Sequence, residues 1–385
     1  LIYDFMQERE IVGLGIAITK DERLVYARGF GYADQEQEVI ADPTQLFRVA
    51  SVSKALTGTT VMKMVEMGAL SLDDKVFGTD GILGSDYNQA PQAPLAGDTV
   101  DPLTLVTVRH LLQHTAGGWP NKYGPSDPIG QEKDLNAAEL ISWVLDDDNY
   151  DLTDKPGTVT DYSNFGYILL GRIIEKTVSE NQDLFDLGSD SSYEEIVKKL
   201  ILDPIGINDM RIGGTEITDK YENEVVYYSS SEDEKTPYET PFRRKDASGS
   251  WIASPVELAR FLVHVDGFST KPDLLNPDTL KKMITVDQVA SSGKKGYGMG
   301  WFIQSADTQK CKSSSQFSSC RWFKSGGFAG TRALIYRYKK GMNFSIVINS
   351  TPKDLEDENV SEELVFLFND INKIVGSDWP DYDLF

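Results

Sequence analysis

The sequence predicts an α/β (α+β) fold: one antiparallel sheet drawn from both ends of the chain and flanked by helices, with a mostly helical region inserted between them. Three observations carry this. Strand-like segments occupy the first 50 residues and return in the last third, the apolar spacing between them is helical, and no internal repeat divides the 385 residues into serial units. The expected organisation is a single domain over 1–385, with a sheet region of about 1–50 and 246–385 and a mostly helical region of about 51–245.

Residues 1–10 read as a short amphipathic helix. Residues 13–19 and 23–29 read as two strands joined at Lys20-Asp21-Glu22, an antiparallel hairpin. A long apolar helix opens at Ser51 and closes at Gly68, which suits the position just past a helix end. Residues 78–103, containing Ala90-Pro91-Gln92-Ala93-Pro94, form a long irregular loop. Helices are expected over 107–115, ending at Gly117-Gly118, and over 137–145, 165–176 and 193–202, the last stopped by Pro204. The acidic, serine-rich stretch 179–192 and the polar stretch 221–245 read as solvated surface insertions, as does the basic run Arg243-Arg244-Lys245. A helix over 256–265 follows Pro255. Strands over 297–304, 322–325, 332–338 and 343–348 come next, and a helix over 361–375, with Glu362 and Glu363 in its first turn, closes the chain.

Composition excludes some functions. With 38 basic and 60 acidic side chains the formal net charge is −22, which repels nucleic acid and anionic membranes. No apolar run reaches the roughly 20 residues of a membrane span, and the start at Leu1 suggests a processed or trimmed form. Cys311 and Cys320 flank a polar, serine-rich run. Paired, they would clip a hairpin loop and imply an oxidising compartment; unpaired, they would be two buried thiols of a reducing one. The loop-like run between them favours the disulfide, and with it a secreted, periplasmic or extracellular protein. Asn343, Asn349 and Asn359 each begin an N-glycosylation triplet.

The stretch with chemical content is Ser51-Val52-Ser53-Lys54. Three helical positions apart, the hydroxyl and the amine share a face, offset about 4.5 Å along the axis. A serine hydroxyl needs a base to take its proton as it attacks, and a lysine serves only if burial or a nearby cation lowers its pKa. The apolar helix that follows suits such burial. An N-cap serine followed by a surface lysine has the same spacing, so other stretches must complete the chemistry. Tyr162-Ser163-Asn164 lies at a helix entrance, and alternation in extended backbone turns Tyr162 and Asn164 towards one cleft. Near two lysine ammonium groups, Tyr162 would have a lowered pKa and could act as a base towards Ser51. Lys324-Ser325-Gly326-Gly327 ends a strand; Lys324 could hold a substrate carboxylate, and the N–H groups of Ser51 and Gly327 could form an oxyanion hole. The glycines there lack the Lys-Ser/Thr ending and following helix of a phosphate loop.

Together, in this order, Ser-x-x-Lys, Tyr-x-Asn and Lys-Ser-Gly resemble the motif set of the serine β-lactamase and penicillin-binding-protein superfamily, in its class C-like branch of β-lactamases, D-amino-acid peptidases and carboxylesterases. Supporting stretches are Leu46-Phe47-Arg48-Val49-Ala50, residues 108–117, Leu202-Asp203-Pro204-Ile205-Gly206 and Gly296-Tyr297-Gly298-Met299-Gly300-Trp301. The resemblance implies the β-lactamase/transpeptidase-like fold and a serine hydrolase acting through an acyl-enzyme on a small-molecule ester, amide or β-lactam. Ser51 would be the nucleophile, with Lys54 and Tyr162 sharing proton transfer. Asn164 would orient Lys54 and the substrate amide, Lys324 would support Tyr162 and bind a carboxylate beside Ser325, and Gly327 would donate the second oxyanion N–H. It implies no metal or organic cofactor. His110 and His114, four apart, have zinc-ligand spacing, but Leu111 stands where the metalloprotease pattern needs glutamate, and His264 has no partner in sequence. An acyltransferase with the same residues, or a binding protein that kept the fold and lost turnover, would share these motifs.

Overall fold

The predicted hairpin forms from β1 (Gly13–Lys20) and β2 (Arg23–Asp34), turning through Asp21 and Glu22, both at positive φ. Two such residues in succession match the twist of a two-residue hairpin. The structure, a computed structural model, describes all residues except 122–126, 131, 133, 147–149, 230–236, 240, 287, 288, 290, 293, 294, 305–319 and 354–356. On its outer side β2 pairs with the short β3 (Val39–Ile40), and on its inner side β1 pairs antiparallel with β12 (Met342–Ile348), Leu14 opposite Ile348. From β12 the sheet continues through β11 (Thr331–Arg337), β10 (Arg321–Phe328), β9 (Phe302–Gln304), β8 (Lys295–Tyr297) and β7 (Ser291–Ser292), nine strands in all among the described residues. A second sheet of three short strands, β4 (Phe47–Arg48), β6 (Trp251–Ala253) and β5 (Arg211–Ile212), holds the chain just before Ser51.

Both faces of the large sheet are covered, which is why β1 reads as a run of small and apolar residues and is buried through seven of its eight positions. On one face, α1 (Ile2–Glu8) and α11 (Asp357–Val375) enclose a core of Met6, Ile16, Phe344, Leu364 and Phe368. A ladder of stacked rings crosses the strands on that face: Phe302, Phe323, Tyr336, Phe344 and, from α11, Phe368, with successive centroids 5.3, 5.2, 5.3 and 3.9 Å apart. Such cross-strand pairs fix register. The other face meets α9 (Pro255–Leu262) and the large core around α2 (Ser53–Glu66), α3 (Val108–Leu112), α4 (Ala137–Asp146), α5 (Asn164–Glu180), α6 (Gln182–Phe185), α7 (Tyr193–Val197), α8 (Asp246–Gly249) and α10 (Pro277–Met283). No described helix is long and apolar enough to cross a membrane.

Several elements depart from expectation. The strand expected over 297–304 is two strands, because Gly298–Gly300 turns between them and presses on α2: a Cβ on Gly300 would lie 2.5 Å from the Lys54 carbonyl oxygen. Strand β10 runs on through the glycines to Phe328. The stretch 179–192 is partly helical, and Phe185 is buried in the core. The stretch 221–245 is not merely solvated, since Val225, Tyr227 and Phe242 are buried, as is Arg244 of the basic run, which donates to the carbonyls of Ile129 and Leu135. Asn343 and Asn349 are fully buried and hydrogen-bonded, to Asp266 and to the Val226 carbonyl respectively, which rules both out as sugar acceptors in the folded chain.

Candidate active site

The turn that carries Ser51 is pinned from three sides. Arg48 is buried against the rings of Tyr227 and Phe242, 4.6 and 4.5 Å from their centroids, and donates to the Gly214 carbonyl at 2.8 Å. The Val49 N–H donates to the Trp251 carbonyl at 3.0 Å, while Ser53 Oγ accepts from the Trp251 N–H at 3.2 Å and donates to the Ala50 carbonyl at 2.7 Å. Between these anchors Ala50 sits in the left-handed region, φ 47°, although it carries a Cβ. Its surroundings hold it there. Ser51 lies in the 3₁₀ turn Ala50–Val52, and α2 itself begins at Ser53. The three-residue spacing works across this junction: Lys54 Nζ donates to Ser51 Oγ at 3.0 Å.

Lys54 is fully buried. Its amine also donates to Asn164 Oδ1 and to the Ser248 carbonyl, each at 2.6 Å, and lies 5.0 Å from the centre of the Tyr162 ring. Burial first, and then the charges of Lys324 and Lys245, hold its pKa well below the usual lysine range. The three donated hydrogen bonds are those of the ammonium. In the neutral amine two N–H groups remain for Asn164 and Ser248, and the lone pair is left facing Ser51 Oγ, from which it can accept the proton.

Tyr162 and Asn164 converge on this pair, as alternation predicts, while Ser163 between them caps α5 by accepting from the Gly166 N–H at 3.0 Å. Asn164 is turned by Asn121, whose Oδ1 accepts from Asn164 Nδ2 at 2.5 Å and whose N–H donates to the Tyr162 carbonyl at 2.7 Å. Burial raises the Tyr162 pKa, opposite to the expected lowering, and the neighbouring Ser51 hydroxyl only partly offsets it. The lysines expected to stabilise a phenolate are themselves buried with their charge disfavoured, so they supply little field to offset desolvation. Tyr162 is therefore a phenol here. His114 backs it, with ring centroids 4.2 Å apart; its Nδ1 accepts from the Ser163 N–H at 3.1 Å, and burial keeps it neutral by lowering its pKa. His110 instead caps α3, its Nδ1 accepting from the Thr107 N–H, and His264 Nδ1 meets the Pro272 carbonyl, so the three histidines do not converge.

Lys324, fully buried, stands on β10 with Nζ 3.2 Å from the Tyr162 hydroxyl and 2.8 Å from that of Tyr297. Its contacts are tyrosines rather than an open carboxylate subsite, and burial holds its pKa well below the lysine range. Ser325 follows, half-buried, with Gly326 and Gly327 paired to Ala333 and Arg332 of β11. A Cβ on Gly326 would lie 2.6 Å from the Ser51 nitrogen, so only glycine lets β10 run against the Ser51 turn and bring the Gly327 backbone beside it. Sequence reading did not assign Arg48, His114, Asn121 or Tyr297 to this site. Cys320 is buried at the entry to β10, and Cys311 lies outside the described residues.

The chain is similar to known proteins. A family model described as Beta-lactamase matches residues 1–365. A penicillin-binding protein of Bacillus subtilis is 27% identical over 356 residues, covering 87% of this chain and 67% of its own length. Against other curated relatives the chain spans about half their length, 53%. Among solved structures, the octameric penicillin-binding protein homologue of Pyrococcus abyssi superposes with a TM-score of 0.69 at 26% identity, covering 96% of this chain and 76% of its own. The D-amino acid amidase of Ochrobactrum anthropi superposes with a TM-score of 0.67 at 21% identity, covering 94% and 95%.

Proposed function

The chain belongs to the Beta-lactamase family, and from that premise we propose that it is a serine hydrolase working through an acyl-enzyme on an ester or amide substrate. The observation that carries the reading is the 3.0 Å contact between Ser51 Oγ and the buried amine of Lys54. Ser51 Oγ attacks the substrate carbonyl, forming a C–O bond as its proton passes to Lys54. The negative oxygen of the tetrahedral intermediate is held by the N–H groups of Ser51 and Gly327. Collapse breaks the bond to the leaving alcohol or amine, which takes the proton back from Lys54 or through the Tyr162 phenol between Lys324 and Ser51. Water then repeats the sequence on the acyl-enzyme and releases the acid. In this scheme Lys54 serves as the base in both halves of the cycle.

Intact mass after incubation with a penicillin and, separately, with an activated acyl ester tests this. Wild type is expected to form an adduct or turn over at least one reagent, and Ser51→Ala neither. No adduct and no turnover from wild type would refute the enzymatic reading and leave a binding protein of the same fold. Whichever reagent reacts faster separates a β-lactamase from a carboxylesterase, and product analysis with an added alcohol or amine separates hydrolysis from acyl transfer. Secretion and a Cys311–Cys320 disulfide remain part of the proposal, supported by the serine-rich run between the two residues. Alkylation of the unfolded, unreduced protein should find no free thiol, and two alkylated cysteines would overturn both.

A further inference from the structure

We infer that Tyr297 is a positioning residue of this site: by accepting a hydrogen bond from Lys324 it holds that lysine on Tyr162 and away from the cleft, so that acyl substrates need carry no carboxylate. The inference rests on the serine hydrolase reading and names the substrate class it favours, uncharged esters and amides.

The contact from Lys324 Nζ to Tyr297, 2.8 Å, is shorter than the one to Tyr162, 3.2 Å. The amine is also walled by rings, with the centroids of Phe302, Tyr297 and Tyr162 at 4.6, 4.7 and 4.8 Å. Tyr297 does not depend on Lys324 for its place. Its ring packs edge-on to Phe302 at 4.8 Å and against His114 at 4.5 Å, and its carbonyl accepts from Gln113 Nε2 at 3.3 Å. Behind it Tyr167 packs on the same His114 ring, 5.2 Å between centroids, and donates to the Leu112 carbonyl at 2.9 Å. Fixed groups thus back Tyr297 from α3, and its hydroxyl holds Lys324 beside Tyr162. A substrate carboxylate could recruit Lys324 only by breaking two hydrogen bonds and drawing a buried amine past three rings. The lowered basicity of that amine weakens such a pull further.

The test uses the full chain and two activated esters with the same leaving group, one with a neutral acyl chain and one ending in a carboxylate. Wild type is expected to use both with kcat/KM values within about 3-fold of each other, since Lys324 is not offered to the carboxylate. In Tyr297→Phe, kcat on the neutral ester should fall about 10- to 100-fold, the worth of one hydrogen bond to a charged or strongly polar group, with KM little changed. Its pH profile should shift as Lys324 loses a partner. A wild-type preference of about 10-fold or more for the carboxylate ester would overturn the inference, as would Tyr297→Phe with wild-type kcat and pH profile. Should Tyr297→Phe fail to fold, the wild-type comparison alone decides. Ser51-dependent turnover that Tyr297→Phe leaves untouched removes only this inference; no Ser51-dependent turnover of either ester removes the hydrolase reading and this one with it.

Discussion

Replacing Gly326 by alanine perturbs the site without touching any reacting group. The added Cβ would lie 2.3 Å from the Val49 carbonyl oxygen and 2.6 Å from the Ser51 nitrogen, whereas Cβ contacts below 3.0 Å are essentially never found. Going from 2.3 to 3.0 Å requires β10 and the Ser51 turn to part by at least 0.7 Å. Both neighbours are backbone, so no flexible side-chain end can absorb the shift. Misplacement of about 1 Å between reacting groups costs roughly 10²-fold in rate, and overpacking of this kind costs about 1–3 kcal/mol of stability. Gly326→Ala should therefore acylate about 10- to 100-fold more slowly than wild type, read as the burst rate with an activated ester and as adduct mass against time, with urea unfolding run alongside. Gly327→Ala is the comparison, because the nearest atoms to its Cβ belong to the Arg332 side chain, the first at 3.1 Å, and it should cost far less. Acylation by Gly326→Ala within about 3-fold of wild type would refute the view that β10 sets the position of Ser51.

Other outcomes follow from the same geometry. Lys54→Met should slow acylation by about 10²- to 10⁴-fold while the chain stays folded; near-wild-type adduct formation would remove Lys54 as the base. Because burial lowers the Lys54 pKa, the active neutral form gains with rising pH, and the acid limb of wild-type acylation should lie below the ordinary lysine value near 10.4. By linkage, the unfolded chain binds the extra proton in that window, so the Lys54 contribution to stability rises with pH between the folded and unfolded values, a slope Lys54→Met should flatten. Arg48→Met, which orphans the Gly214 and Thr215 carbonyls, should cost about 2–4 kcal/mol in urea unfolding; a neutral result would show that the Ser51 turn is held without it. Peptide mapping after expression in a glycosylating host should find Asn343 and Asn349 bare, and sugar on either would contradict their burial.

What the sequence made legible was local. Ser51 and Lys54 share a turn, so their contact follows from helical spacing, and Tyr162 and Asn164 share a side of an extended entry, so alternation places them together. The strands at both ends could be read from apolar runs, and the sheet joins them. What stayed hidden depends on distant partners or on burial. Nothing near Tyr297 in sequence reports that Lys324 will reach it, and Asn121 gains its role only through a turn that meets α5. The rise in the Tyr162 pKa was missed because its sign depends on whether the neighbouring lysines are charged. Arg48 was hidden by polarity, since Tyr227 and Phe242 lie in a stretch whose composition reads as surface. Ala50 carries no sign of its positive φ, which a glycine would have advertised.

The pairing of β1 with β12 at the middle of the sheet has a consequence for how the protein is made. During synthesis the Ser51 turn and α2 emerge roughly 270 residues before the β10 residues that complete the site, counted from Ser51 to Arg321. Until β10 to β12 insert, β1 has one bare edge and α2 has no lid, the kind of apolar exposure that invites aggregation and calls on chaperones. Closing so long a loop is slow, because its entropy is lost before the long-range pairs form. A chain whose β10 to β12 have yet to emerge is therefore inert however much of its middle has folded, and in refolding the ability to take up an acyl group should appear with the phase in which β12 pairs with β1.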